Sequence, residues 1–179
     1  MNIFFLDTDT KQCAKYHCDK HVVKMILEYC QLLSTAHRVL DEGELDEWMD
    51  KTLYKKTHVN HPSAVWVRQN ARNYQYVFDL LFSLSTEYKA RYGKSHASWQ
   101  KLRFALCLYP KNISLDNIKE PLNIDEAPQC MPDEYKDVST VQAYRNYYNG
   151  GKYQIAKWKN SIVPEWFKPQ LEEVNNGIK

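Results

Sequence analysis

His17-Cys18-Asp19-Lys20-His21-Val22-Val23-Lys24-Met25-Ile26-Leu27-Glu28-Tyr29-Cys30-Gln31 reads as a helix with a polar stripe laid beside its apolar one. Residues three and four apart sit above one another on a helix. His17, His21, Lys24, Glu28 and Gln31 therefore share a face. The neighbouring face carries Val22, Met25, Ile26, Tyr29, Leu32, Leu33, Ala36 and Leu40, an ordinary core stripe. Imidazole, amine, carboxylate and amide groups beside an apolar seam can bind a polar ligand, shift a pKa or hold a metal. The plainer reading is a solvated edge. In that case Lys24 and Glu28 form a helix ion pair worth only about 0.3–0.5 kcal/mol.

Working outward, residues 2–6 are a short apolar run that reads as a strand, and Asp9 with Gln12 resembles a capping box. A short helix from Thr10 to His17 is expected to bend near Cys18. Asp19 is expected to cap a second helix that runs to Leu40. Glu44 to Lys56 reads as a surface helix. Pro62 suits a helix start and Gly93 a helix stop, so one long helix is expected over 62–92. Ser98 is placed as the cap of a helix to Leu108. Residues 111–138 show little periodicity and hold Pro121, Pro128 and Pro132; so long a connection is functional or a strap across a groove. Ser139 or Thr140 caps a helix through Tyr148, Asn149-Gly150-Gly151 turns the chain, and Lys152 to Lys159 forms one more short helix. Pro164-Glu165-Trp166-Phe167 is expected to pack back on the body, with the last residues fraying. The fold class is thus mainly α: one multi-helix domain over 1–179, with a short N-terminal strand and a long proline-marked loop.

Composition agrees. Hydrophobic residues make 44% and charged residues 26%, and only 5 glycines occur among 179 residues, which excludes a disordered chain. The net charge of +2 gives no whole-protein signal for nucleic acid, so such binding needs a local patch. No run approaches the roughly 20 apolar residues of a membrane span. The start is short and uncharged for a signal peptide, and 5 cysteines is an odd number. Reduced thiols in a cytoplasm are expected.

Two segments carry the candidate chemistry. His17 and His21 are four apart, the spacing of zinc-binding helices, and Cys13 lies one turn earlier. These three span roughly 12 Å of straight helix, so they share one divalent transition metal only if the helix bends. Otherwise the histidines make ordinary hydrogen bonds. His58-Val59-Asn60-His61-Pro62 sets two histidines before a helix start, where free N–H groups favour an anion. The alternative is a capping turn with Asn60 as cap. Lys20, Lys24, Arg68, Arg145 and Lys152 are candidate phosphate contacts, though each alone is an ordinary surface charge. Arg145 between Tyr144 and Tyr147 suits stacking with charge. Cys18 is the thiol to test for reactivity, while Trp66 and Trp99 read as core. A phosphate-binding glycine loop, a dinucleotide fingerprint, a Gly-x-Ser-x-Gly elbow and a Cys-x2-Cys pair are all missing from the sequence, which removes several common enzyme classes.

The run 16–25, Leu33-Ser34-Thr35-Ala36-His37-Arg38, Asn60-His61-Pro62-Ser63, Arg91-Tyr92-Gly93-Lys94 and Tyr144-Arg145-Asn146-Tyr147-Tyr148 resemble an uncharacterised protein family of tailed bacteriophages and other large DNA viruses. The resemblance spans most of the chain. It implies a viral setting and no particular activity.

The leading expectation is an enzyme acting on a nucleotide or nucleic-acid base. His21 and His61 are its acid/base candidates, joined by His17, with Glu28 or Asp19 orienting a histidine. Lys20, Lys24, Arg68, Arg145 and Lys152 would hold phosphate, while Asn60, Asn73 and Tyr144 would meet the base. Two other classes stay open. One is a non-catalytic viral binder of a host protein or nucleotide; the other is a metal-dependent hydrolase or oxygenase using His17 and His21. Convergence of the histidines in one hollow separates chemistry from a flat binding surface.

Overall fold

The computed structural model describes residues 1–116 and 118–169; the expected fraying of the last residues lies outside them. Seven α-helices occur among the described residues: α1 Thr10–Tyr16, α2 Asp19–Leu40, α3 Glu47–Thr52, α4 Pro62–Val67, α5 Ala71–Tyr92, α6 Ala97–Leu106 and α7 Thr140–Gly151. No described helix is long and apolar enough to cross a membrane.

α2 is the hub, packing against α4, α5 and α6, while α1 packs on α5. Its apolar stripe is the reason: Val22, Met25, Ile26, Tyr29, Leu32, Leu33 and Ala36 are all buried. α5 answers with Tyr74, Val77, Leu80, Leu81, Leu84 and Tyr88. Asp9 accepts the Gln12 N–H at the start of α1, as its spacing implies, and Ser139 does the same for Gln142 at α7. Gly93 ends α5 at φ 69°, a left-handed conformation that costs glycine nothing. Gly93→Ala should therefore cost about 1 kcal/mol, read as a lower urea midpoint at unchanged slope.

The expected strand at 2–6 is not formed. Strands need partners, and no strand occurs among the described residues. The run is instead threaded through the core, with Ile3, Phe4, Phe5 and Leu6 buried. Side chains meet its backbone: Phe4 N–H donates to Tyr29 Oη (3.3 Å), Leu6 N–H to Cys13 Sγ (3.3 Å), and Cys13 Sγ–H to the Phe4 carbonyl (3.2 Å). Buried backbone groups must find some partner, and these found side chains.

The expected 62–92 helix is two helices. Asn70 is extended (φ −158°, ψ 164°), and its side chain caps Asn73 N–H at 2.9 Å. Asn73 then donates to the Trp66 carbonyl left free at the end of α4 (2.9 Å). Histidines rather than Asn60 and Ser98 cap α4 and α6: His61 and His96 accept the N–H groups of Ser63 and Ser98. Cys18, not Asp19, is the N-cap of α2, and it makes no side-chain capping bond. The surface helix shrinks to α3, capped by Asp46.

Gly150 and Gly151 belong to α7 because the Tyr135 and Tyr147 rings press on them so closely that a Cβ would collide. The short helix expected at 152–159 is only a turn, with Ile155 and Ala156 N–H groups on the Lys152 carbonyl. Trp166 packs edge-on to Tyr16 and Tyr148, returning the chain to the body as expected.

Candidate active site

Glu28 is on α2, one turn beyond Lys24, where the polar stripe meets the threaded N-terminal run. Its side chain is only 11% exposed. A carboxylate so covered needs donors, and it has them. Asn2 N–H donates to Oε2 at 3.1 Å, the Met1 amino group lies 3.9 Å from the same oxygen, and Lys24 Nζ lies 3.2 Å from Oε1.

Asn2 is itself clamped. Its Oδ1 accepts the Tyr144 hydroxyl (2.7 Å), and its Nδ2 donates to the Cys130 carbonyl (2.9 Å). The Tyr144 oxygen accepts the Cys130 N–H in turn (3.2 Å). The proline-marked loop is thus a strap, and α7 is its anchor; both hold the start of the chain against Glu28.

His61 completes this rim. Ser63 links it to the strap, its Oγ lying 3.5 Å from Cys130 Sγ. His58, whose carbonyl accepts the His61 N–H, has φ 47°, a strained value for a residue with a side chain. Partial burial depresses the His61 pKa, helped by the Met1 amino group and His58, while Glu28 pulls the other way.

The other two site histidines go elsewhere. His17 is fully buried, with Nδ1 on the Cys13 carbonyl (2.8 Å) and Nε2 on the Tyr29 hydroxyl (3.1 Å). A carbonyl only accepts, so Nδ1 carries the proton and Nε2 accepts from Tyr29. His21 stacks on Phe4 with centroids 4.2 Å apart and meets the Tyr148 hydroxyl at 2.6 Å. Desolvation lowers His17 to about 4 and His21 to about 3, with Lys152 and Lys24 adding to the latter. Both rings are neutral packing elements around Phe4.

The remaining candidates divide. Asp19 pairs with Arg91 (3.0 Å) and accepts the Lys159 N–H (2.8 Å), so it ties the chain together rather than orienting a histidine. Asn73 is buried in the α4–α5 splice, and Arg68 donates to the Val59 carbonyl (2.6 Å). Arg145 is held by the Leu6 carbonyl and Asp7, between Tyr16 and Trp166. Lys20, Lys24 and Asn60 are exposed. Lys152 sits over the Tyr147 ring at 4.7 Å. Lys24 and Lys152 are thus the cations nearest the site.

No metal cage joins Cys13, His17 and His21: among the described residues, no three His, Cys, Asp or Glu side chains are placed to hold an ion. Each of the three already has its own partner, and burial pushes the Cys13 thiol up to about 12. The Cys18 thiol, the one singled out for a reactivity test, is fully buried and raised too, by the same cause.

Asn2, the Met1 amino group and Cys130 were invisible to local reading. Their partners lie 26 to 142 residues away in sequence. The only signal was a polar residue placed directly ahead of a buried apolar run.

Fold and site together define a helical protein that holds an amine against a sheltered carboxylate, with the exposed Lys24 paired to the same group. The chain belongs to the pyrimidine dimer DNA glycosylase family, whose model matches residues 1–101. That span holds Asn2, Glu28 and His61, while α7 and the whole strap lie beyond it. Searches of curated proteins and of solved structures returned no match. The family's name states an activity on DNA, which the resemblance to uncharacterised viral proteins did not.

Proposed function

We propose that this protein excises damaged pyrimidine bases from DNA, with Glu28 as the working carboxylate and the amino group beside it as nucleophile. The observation that carries the reading is the sheltered Glu28 carboxylate, with the Met1 amino group and Asn2 N–H on one oxygen. It lies inside the family match.

The chemistry follows from the groups present. A base in a duplex must leave the stack before its sugar is reached. The amine nitrogen adds to C1′ of that sugar and gives its proton to Glu28. The C1′–N1 bond breaks, its electron pair departs with the pyrimidine, and the pyrimidine takes up a proton. The C1′–O4′ bond then opens, its electron pair staying on O4′, which takes the proton back from Glu28, and the nitrogen lone pair closes a protonated imine between protein and sugar. Glu28 also opposes the positive charge that grows on the sugar as the bond breaks. Lys24, Lys152 and Lys20 supply charge for the phosphodiester backbone.

Ultraviolet-irradiated duplex DNA, incubated with the protein and borohydride, should give a covalent protein–DNA adduct. Unirradiated duplex should give none. Peptide mapping should place the adduct at the first residues of the chain. Glycosidic cleavage without an adduct would overturn the amine as nucleophile; no abasic site in irradiated DNA would overturn the whole reading, since a dimerised pyrimidine stays tethered to its neighbour when its own C1′–N1 bond is cut.

A further inference from the structure

α4 and α6 begin alike, and the likeness fixes a proton. His61 accepts the Ser63 N–H at Nδ1 (3.2 Å), and His96 accepts the Ser98 N–H at Nδ1 (3.2 Å). A ring nitrogen that accepts carries no hydrogen. A neutral imidazole held this way has its hydrogen on Nε2. For His96 the Val23 carbonyl serves as backbone acceptor. His61 makes only the capping bond among the described side-chain bonds. It is half-buried, and contacts lead from it to Glu28: the Ser63 that it caps meets Cys130, whose carbonyl holds Asn2, and Asn2 donates to Glu28.

His61 is therefore not the acid/base group its sequence suggested. Its one lone pair is committed to the cap, and protonating Nδ1 would set two N–H groups against each other. The nearby amino group also opposes a second positive charge. What remains is a donor without charge.

We propose that the Nε2–H of His61 holds a phosphate oxygen of the lesion-bearing strand, so that His61 positions the sugar at Glu28. The idea rests on the excision reading above. A nucleotide whose C1′ meets the amine brings its flanking phosphates within a side chain's length of the rim. There Lys24 is tied to Glu28 and Arg68 to the Val59 carbonyl. Lysines attract phosphate as point charges, whereas an N–H fixed by a backbone cap sets one direction.

His61→Asn separates the two roles of the ring. The asparagine Oδ1 replaces Nδ1 as cap, since asparagine is among the best capping residues, while nothing replaces Nε2–H. The variant should melt within a few degrees of the parent. KM and Kd for irradiated duplex should rise about 10- to 100-fold, the range for one hydrogen bond to a charged group. Turnover should change much less, because the contact exists before and during reaction. Methylphosphonate at the contacted phosphate should weaken the parent protein by a similar factor and His61→Asn by clearly less, the remainder being lost charge that both proteins feel. Two results would overturn the proposal: parent-like KM and Kd in His61→Asn, or equal phosphonate effects in both proteins at every phosphate flanking the lesion. Kd is read without excision. A parent that binds irradiated duplex but makes no abasic site therefore refutes the function above while still testing His61.

Discussion

Glu28→Gln should remove glycosidic cleavage while leaving the fold in place. The loss expected for a group moving a proton and opposing charge at the reacting carbon is about 10²- to 10⁴-fold in single-turnover rate. Glutamine has the same shape and retains an oxygen for the Asn2 N–H, so the clamp through Tyr144 and Cys130 persists. What disappears is negative charge facing the Met1 amino group and Lys24. The Lys24 pair contributes little to stability, because Lys24 is 69% exposed; the sheltered Met1 pair contributes more, so Tm should fall while the native fold persists. Lys24→Ala should then change the rate far less than Glu28→Gln, and its effect should fade as salt rises. Equal losses in the two variants, or a Glu28→Gln rate within a fewfold of the parent, would place the catalytic carboxylate elsewhere.

The contrast between Glu28 and the histidines of the same stripe shows what a helical period reveals. Periodicity assigns residues to a face but says nothing of what covers that face. His21 and Glu28 lie on α2 while His17 caps the end of α1, and the threaded run 2–6 divides the two that share a helix. Phe4 packs over His21, and Asn2 meets Glu28. That run was legible as apolar and buried, but not as a strap without a sheet, because strand and threaded segment share one pattern.

Local signals with a single mechanism were read well: Asp9 before Gln12, Gly93 after α5, Ser139 before α7. Signals with two outcomes were not. Asn73 was placed as a base contact on a continuous helix and proved to be part of the splice that breaks it. His61 looked chemically free and proved to be a cap, because an imidazole nitrogen can accept an N–H as a carboxylate does. Tyr144 was placed among the base-contacting residues for its neighbours in sequence. It reaches the site from 142 residues away, through Asn2.

Acid should destabilise the protein before most carboxylates titrate, and His17 and His21 are the reason. Their native pKa values are lowered to about 4 and about 3, by desolvation first. In the unfolded chain each returns to about 6.5. A group whose native pKa is depressed contributes stability that is complete above the unfolded value and is lost as pH falls toward the native one. Between pH 6.5 and about 4 these two rings alone therefore bind about two more protons in the unfolded chain than in the native protein, and His37, also lowered by desolvation, adds in the same direction. The slope from the two rings approaches 2.7 kcal/mol per pH unit, and the loss by pH 4.5 is on the order of 3–5 kcal/mol. Against a typical stability of about 5–15 kcal/mol this is a large fraction, so Tm should fall steeply from pH 6.5 to 4.5 and stay nearly flat from 6.5 to 8. His21→Gln can still meet the Tyr148 hydroxyl but cannot titrate. It should lower stability at pH 7 and cut the acid slope by up to half, since one of the two protons is gone and the share from His37 stays. A Tm constant down to pH 5, or an unchanged slope in His21→Gln, would mean that these rings exchange protons with solvent in the folded state. The packing around Phe4 would then be wetter than its burial indicates.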